Sequence, residues 1–237
     1  MTTRRRGKVG RPQLVAVIAS SVDLKTAIAM KKPPDLFELR LDSLSRITPR
    51  AEKYIPRLRA PLIITARDPR EGGMGNLSLQ ERCDLLQRFL RHADYIDVEL
   101  RAAREFQSLL AQAQKRKIRR ILSYHNFKST PSSRGLQAKA KLAKAMGADI
   151  FKVATRTDTP AALTRLVDFV TSNDVDVALS TMGIGKLGAI SRLLLARCGS
   201  VLNYASLGQP NVEGQLSIAM LRAAIGASPC RRITDHP

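Results

Sequence analysis

Short apolar runs rich in β-branched residues alternate along almost the whole chain with longer segments of helical period, the pattern of parallel βα units. Eight such units can be counted. Strands are predicted over residues 13–20, 36–42, 61–67, 95–100, 120–127, 150–155, 176–182 and 200–206, and helices over 23–30, 48–58, 78–92, 102–117, 132–146, 160–171, 188–198 and 217–225. Capping chemistry agrees: Ser78 with Glu81 spells a capping box, Thr159 and Pro160 open the sixth helix, and Gly147 closes the fifth. Eight units in 237 residues predict a single-domain α/β fold, a (β/α)8 TIM barrel over 13–228, with a basic, disordered arm over 1–12 and a tail over 229–237.

Such a barrel carries its reactive groups at the C-terminal ends of its strands, and strand parity tests that. In the second strand Glu38, Arg40 and Asp42 point one way and Phe37, Leu39 and Leu41 the other, so the apolar row meets the helices and the charged row faces inward. The same parity groups Thr65 with Arg67, Asp97 with Glu99, and Ser123 with His125, and turns Lys152 inward. One such charge could be a structural ion pair. Several together are expensive to bury, which points to chemistry.

The formal charge of +20 admits nucleic acid or small anions as partners. Much of it is spread over the leader and over helix surfaces, as at Lys115, Arg116, Lys117, Arg119 and Arg120. Aromatic residues are 4% of the chain, too few for base stacking, so nucleic acid is not expected. Cys83, Cys198 and Cys230 show neither disulfide nor metal-ligand spacing, and no metal is expected. Without an apolar leader or an uninterrupted apolar run of about 18 residues, the chain is expected in the cytoplasm, away from membranes.

The segments 38-ELRLD, 65-TARDPREGG, 123-SYHNF, 149-DIFKVAT and 182-MGIGKLGAISR, followed by Gly214 and Gln215, occur in that order. As a set they resemble the type I 3-dehydroquinate dehydratases, over about 36–215. The resemblance implies reversible dehydration of 3-dehydroquinate to 3-dehydroshikimate in the shikimate pathway, through a lysine Schiff base, with no metal or organic cofactor, and a homodimer. By matching motifs, Lys152 is the imine-forming lysine, His125 the general acid and base, and Glu71 the carboxylate that orients the histidine. The apolar strand neighbours of Lys152, Ile150, Phe151, Val153 and Ala154, are expected to favour its neutral amine. Arg192, beside Ser191, matches the clamp for the substrate carboxylate. Glu38, Arg40 and Arg67 match the hydroxyl-facing positions, and Asn211 and Gln215 the lid.

Three residues depart from the family pattern. Asn126 stands where an aspartate usually follows the histidine, and Asn211 and Glu213 replace the serine and proline of the lid. Glu213 is expected to loosen the lid and to bring negative charge near an anionic substrate. Gly183, Gly185 and Gly188 spell G-x-G-x-x-G, but the next strand ends without an acidic residue for a ribose, so close backbone approach is the better use. The enzymatic alternative is another lysine-imine barrel of the class I aldolase type, and the non-enzymatic one a basic nucleic-acid-binding barrel.

Overall fold

The computed structural model describes residues 11–172 and 174–226. The predicted barrel is present. Strands β1 (Gln13–Ile18), β2 (Leu36–Arg40), β3 (Leu62–Thr65), β4 (Tyr95–Glu99), β5 (Arg119–Asn126), β6 (Ile150–Arg156), β7 (Ala178–Ile184) and β8 (Leu202–Ser206) alternate with helices α1 (Ser21–Ala29), α2 (Thr48–Tyr54), α3 (Leu79–Phe89), α4 (Gln107–Lys115), α5 (Ser133–Ala145), α6 (Pro160–Thr171), α7 (Gly188–Cys198) and α8 (Ile218–Gly226). Every paired strand is parallel, from β7 through β1 to β8. β7 and β8 share no ladder. Their seam is bridged by the Val201 N–H donating to Leu179 O at 2.8 Å and by Ser180 Oγ donating to Leu202 O at 2.8 Å.

Parity sorts the side chains as predicted. Phe37, Leu39, Ile64, Ile96, Val98, Leu122, Phe151 and Val153 join Leu86, Phe89, Leu166 and Phe169 of the helices in one buried cluster between sheet and helix layer. Truncating one of these phenylalanines to alanine costs about 3–5 kcal/mol. The inward rows are layered: Leu36, Ile63, Tyr95, Ile121 and Ile150 pave an apolar floor. Two residues further along each strand, Glu38, Thr65, Asp97, Ser123 and Lys152 form a buried polar tier above it.

Local chemistry sets the element ends. Ser78 and Glu81 make both bonds of a capping box, Thr159 accepts from the Ala162 N–H, and Gly147 follows α5 at φ +85. The second helix stops at Tyr54 rather than 58 because Pro56 forces a 3-10 turn over Ile55–Arg57. The fourth starts at Gln107, not 102, behind a 3-10 turn over Leu100–Ala102 that follows the buried Glu99. Of the predicted arm, Arg11 is paired with Asp35, while residues 1–10, the 229–237 tail, Cys230 and His236 lie outside the described residues. No helix among the described residues is long and apolar enough to cross a membrane.

Candidate active site

A cavity of about 780 Å³ opens at the C-terminal ends of the strands. Lys152 rises from its floor, and its surroundings correct the expectation of an apolar neighbourhood. Phe151 and Val153 point to the helix layer. The amine donates to Glu38 Oε1 at 3.0 Å and to Asp97 Oδ2 at 2.9 Å, and stands 3.9 Å from the centre of the Tyr204 ring. It is a caged, ion-paired group.

Arg67 braces the cage. It donates to Asp97 at 2.9 Å, Glu99 at 2.8 Å and Ser123 Oγ at 2.6 Å. Burial alone would raise the Asp97 carboxyl, but Arg67 and Lys152 outweigh it and hold that group well below the carboxylate range. Arg40 lines the mouth with its guanidinium gripped on two sides by Asp42, at 2.9 and 2.7 Å.

His125 stands one strand from Lys152, its strand partner being Ala154. Glu71 Oε2 accepts from the His125 backbone N–H at 2.9 Å and lies 3.1 Å from Nδ1. Gly73 permits the turn that presents this carboxylate, because a Cβ there would stand 2.1 Å from the Arg67 carbonyl oxygen. Burial works on both partners: it raises Glu71 to about 7 against the opposing pull of Arg67, and with Arg67 and Lys152 it pushes His125 well below the usual histidine range. Burial thus disfavours the charged form of both partners, the carboxylate of Glu71 and the imidazolium of His125.

On the opposite wall, Arg192 is 3% exposed and lines the cavity, unlike a helix-surface arginine. Its Nη1 donates to Tyr204 O at 3.0 Å and to Met182 Sδ at 3.4 Å, and its Nε has no partner. Among the described residues no carboxylate pairs with it, and burial lowers it to about 10. Here is a buried cation with an unused donor.

Other candidates are placed differently. Ser191 does not line the cavity: its hydroxyl accepts from the Gly183 N–H at 2.9 Å and donates to Gly188 O at 2.6 Å, fastening the turn before α7. Gln215 and Asn211 line the mouth, joined by the Asn211 N–H donating to Gln215 Oε1 at 2.7 Å. Glu213 turns away from the cavity and pairs with Arg156 at 3.1 Å, so it brings no unpaired negative charge to the mouth. Asn126 accepts from the Lys128 and Ser129 N–H groups and shapes the turn after β5. Gly188 serves backbone approach, since its Cβ would meet Gly214 Cα at 2.9 Å.

Sequence reasoning passes over two residues. Extending strand parity to β8 would have turned Tyr204 inward. Arg82 carries a fainter signal, a charge on the stripe of α3 that also holds Leu86 and Phe89.

The fold, and ionisable groups gathered at the carboxyl ends of its strands, define a (β/α)8-barrel enzyme. A family model described as Type I 3-dehydroquinase matches residues 14–228. The 3-dehydroquinate dehydratase of Methanothermobacter thermautotrophicus is 35% identical over 193 residues, spanning 81% of this chain and 84% of that one. That of Shouchella clausii is 32% identical over 237 residues, spanning 94% and 92%. The crystal structure of 3-dehydroquinate dehydratase from Geobacillus kaustophilus superposes with a TM-score of 0.82 at 27% identity, over 91% of this chain and 90% of that one. The chain belongs to the type I 3-dehydroquinase family.

Proposed function

We propose that the chain dehydrates 3-dehydroquinate to 3-dehydroshikimate, a hydro-lyase step of the shikimate pathway, through an imine on Lys152. The Lys152 nitrogen adds to the substrate ketone and water leaves, giving the iminium. This makes a proton on the adjacent carbon acidic, and His125, oriented by Glu71, removes it. The same imidazole returns a proton to the departing hydroxyl, and water then hydrolyses the imine to free Lys152 and the enone. Arg192 takes the substrate carboxylate, Glu38, Arg40 and Arg67 face its hydroxyls, and Asn211 and Gln215 close the mouth.

The observation that carries this reading is the opposition across one cavity of a caged lysine beside a histidine–glutamate pair and a buried arginine with no acidic partner. The reading includes a homodimer, consistent with the exposed apolar Ile190, Leu193 and Leu194 on α7, and a cytoplasmic setting.

Borohydride added with 3-dehydroquinate should fix a reduced adduct, located by peptide mass spectrometry at Lys152. Lys152→Met, which keeps most of the side-chain volume, should abolish both adduct and turnover while leaving the fold intact. An adduct at Lys144 or Lys186 would refute the assignment.

A further inference from the structure

Arg82 belongs to α3, in the outer helix layer, yet it is 2% exposed and reaches the C-terminal ends of β3 and β4. Each of its three guanidinium nitrogens has a partner. Nε donates to Ala66 O at 2.8 Å, Nη1 to Asp68 Oδ2 at 3.1 Å and Nη2 to Glu99 Oε2, and the guanidinium carbon lies 5.3 Å from the centre of the Phe106 ring. An apolar side chain would fill this place on the helix stripe with no charge to neutralise.

Glu99 is the pivot. While one oxygen takes Arg82, the other accepts from Arg67 at 2.8 Å and from the Asp68 N–H at 3.0 Å. The other arm of Arg67 goes to Asp97 Oδ2 at 2.9 Å, and that same oxygen accepts from Lys152 at 2.9 Å. Charges of alternating sign thus run Arg82, Glu99, Arg67, Asp97, Lys152, from the helix layer to the cavity floor.

We propose that Arg82 is a positioning residue for the reaction: by fixing Glu99 it frees Arg67 to hold Asp97, and it sets the field in which Lys152 works without touching substrate. The inference rests on the imine reading of Lys152. Removing the Arg82 charge leaves Glu99, fully buried, with Arg67 as its remaining charged partner among the described residues. Arg67 must then serve two carboxylates alone, and the uncompensated negative field reaches the amine. The other charged or titratable groups around the lysine stay in place: Glu38 and Arg40 from β2, Asp97 from β4, His125 with Glu71, Tyr204 from β8, and Arg192 across the cavity. More negative field favours the ammonium and delays imine formation to higher pH.

The test is the rate of adduct formation by the full chain with 3-dehydroquinate and cyanoborohydride, followed by intact mass across a pH series. Arg82→Met should move the midpoint of that profile up by about one pH unit, a roughly tenfold slower reaction on its acid side. Arg82→Lys, which keeps the charge but loses the fork, should bring the midpoint back toward the native one. Glu99→Gln should move it the opposite way, and it carries the test on its own if Arg82→Met does not fold. A native chain that gives no adduct overturns the imine reading itself. A native chain that is trapped, with folded variants that lower the rate evenly and leave the midpoint unmoved, overturns the role of Arg82 alone.

Discussion

The two sides of the cavity keep their charges differently. On the side built by β2 to β6, Glu38, Arg67, Asp97, Glu99 and Lys152 all have ionic partners before any substrate arrives. On the side built by β7, β8 and α7, Arg192 is as deeply buried and has no acidic partner among the described residues. The paired side is a finished machine part, in which each group fixes its neighbour and loss of one disturbs several. On the proposed reading the unpaired side is completed by the substrate carboxylate, because a buried guanidinium gains more from an arriving carboxylate than an exposed one does.

The sharpest way to break this contrast lies on the paired side. His125→Ala should lower turnover by about 10²- to 10⁴-fold while the covalent adduct builds up on Lys152, as seen by rapid-mix mass spectrometry. A variant that neither slows nor accumulates adduct would take His125 out of the proton transfer. Across the cavity, Arg192→Lys retains a cation but not the planar fork. It should lower kcat/KM by about 10- to 100-fold, chiefly through KM, and steady-state kinetics with unchanged kcat/KM would remove the clamp.

A smaller effect separates the histidine–glutamate pair from its parts. Glu71, raised to about 7 from 4.5, makes the native state hold a proton that the unfolded chain releases, so by itself it lowers stability as pH rises through that window. His125, depressed from 6.5, does the opposite: the unfolded chain takes up a proton below 6.5 that the native state refuses, so stability is lost as pH falls. Just below 6.5 the two slopes therefore oppose each other. In Glu71→Gln the histidine acts alone, and stability should rise with pH up to about 6.5 by about 1.4 kcal/mol per unit, roughly 3–5 °C in Tm. A melting series as flat as that of the native chain would refute the opposition of the two titrations. The smallest effect belongs to the lid. Glu213→Gln, which breaks the half-exposed pair with Arg156, should raise KM about twofold at low salt and hardly at all at high salt, and an equal rise at both would exclude charge as the cause.

The paired side was also the more legible one in the sequence. Alternation along a strand tells which side chains share a face, so Glu38, Arg67, Asp97, Ser123, His125 and Lys152 could be turned inward before any coordinates. It does not tell who stands opposite. Lys152 meets Glu38 across 114 positions and Arg67 meets Ser123 across 56, so the ionic cage of the lysine was hidden behind its apolar sequence neighbours. Ser191 misled for the same reason: proximity in sequence to Arg192 implied a shared task, whereas the helix sends one side chain to the cavity and the other back to the Gly183 turn. Glu213 could be read as a charge, but not the Arg156 that neutralises it.

The seam where β7 and β8 run side by side without a ladder has a consequence for how the protein answers its ligand. Arg192 spans that seam from α7, holding Met182 of β7 with its sulfur contact and Tyr204 of β8 through the carbonyl. The buried guanidinium with the idle donor is therefore also a rivet across the line where the strands share no ladder. An anion bound at the idle Nε would add a further tie to the same guanidinium, on the line where β7 and β8 share no ladder.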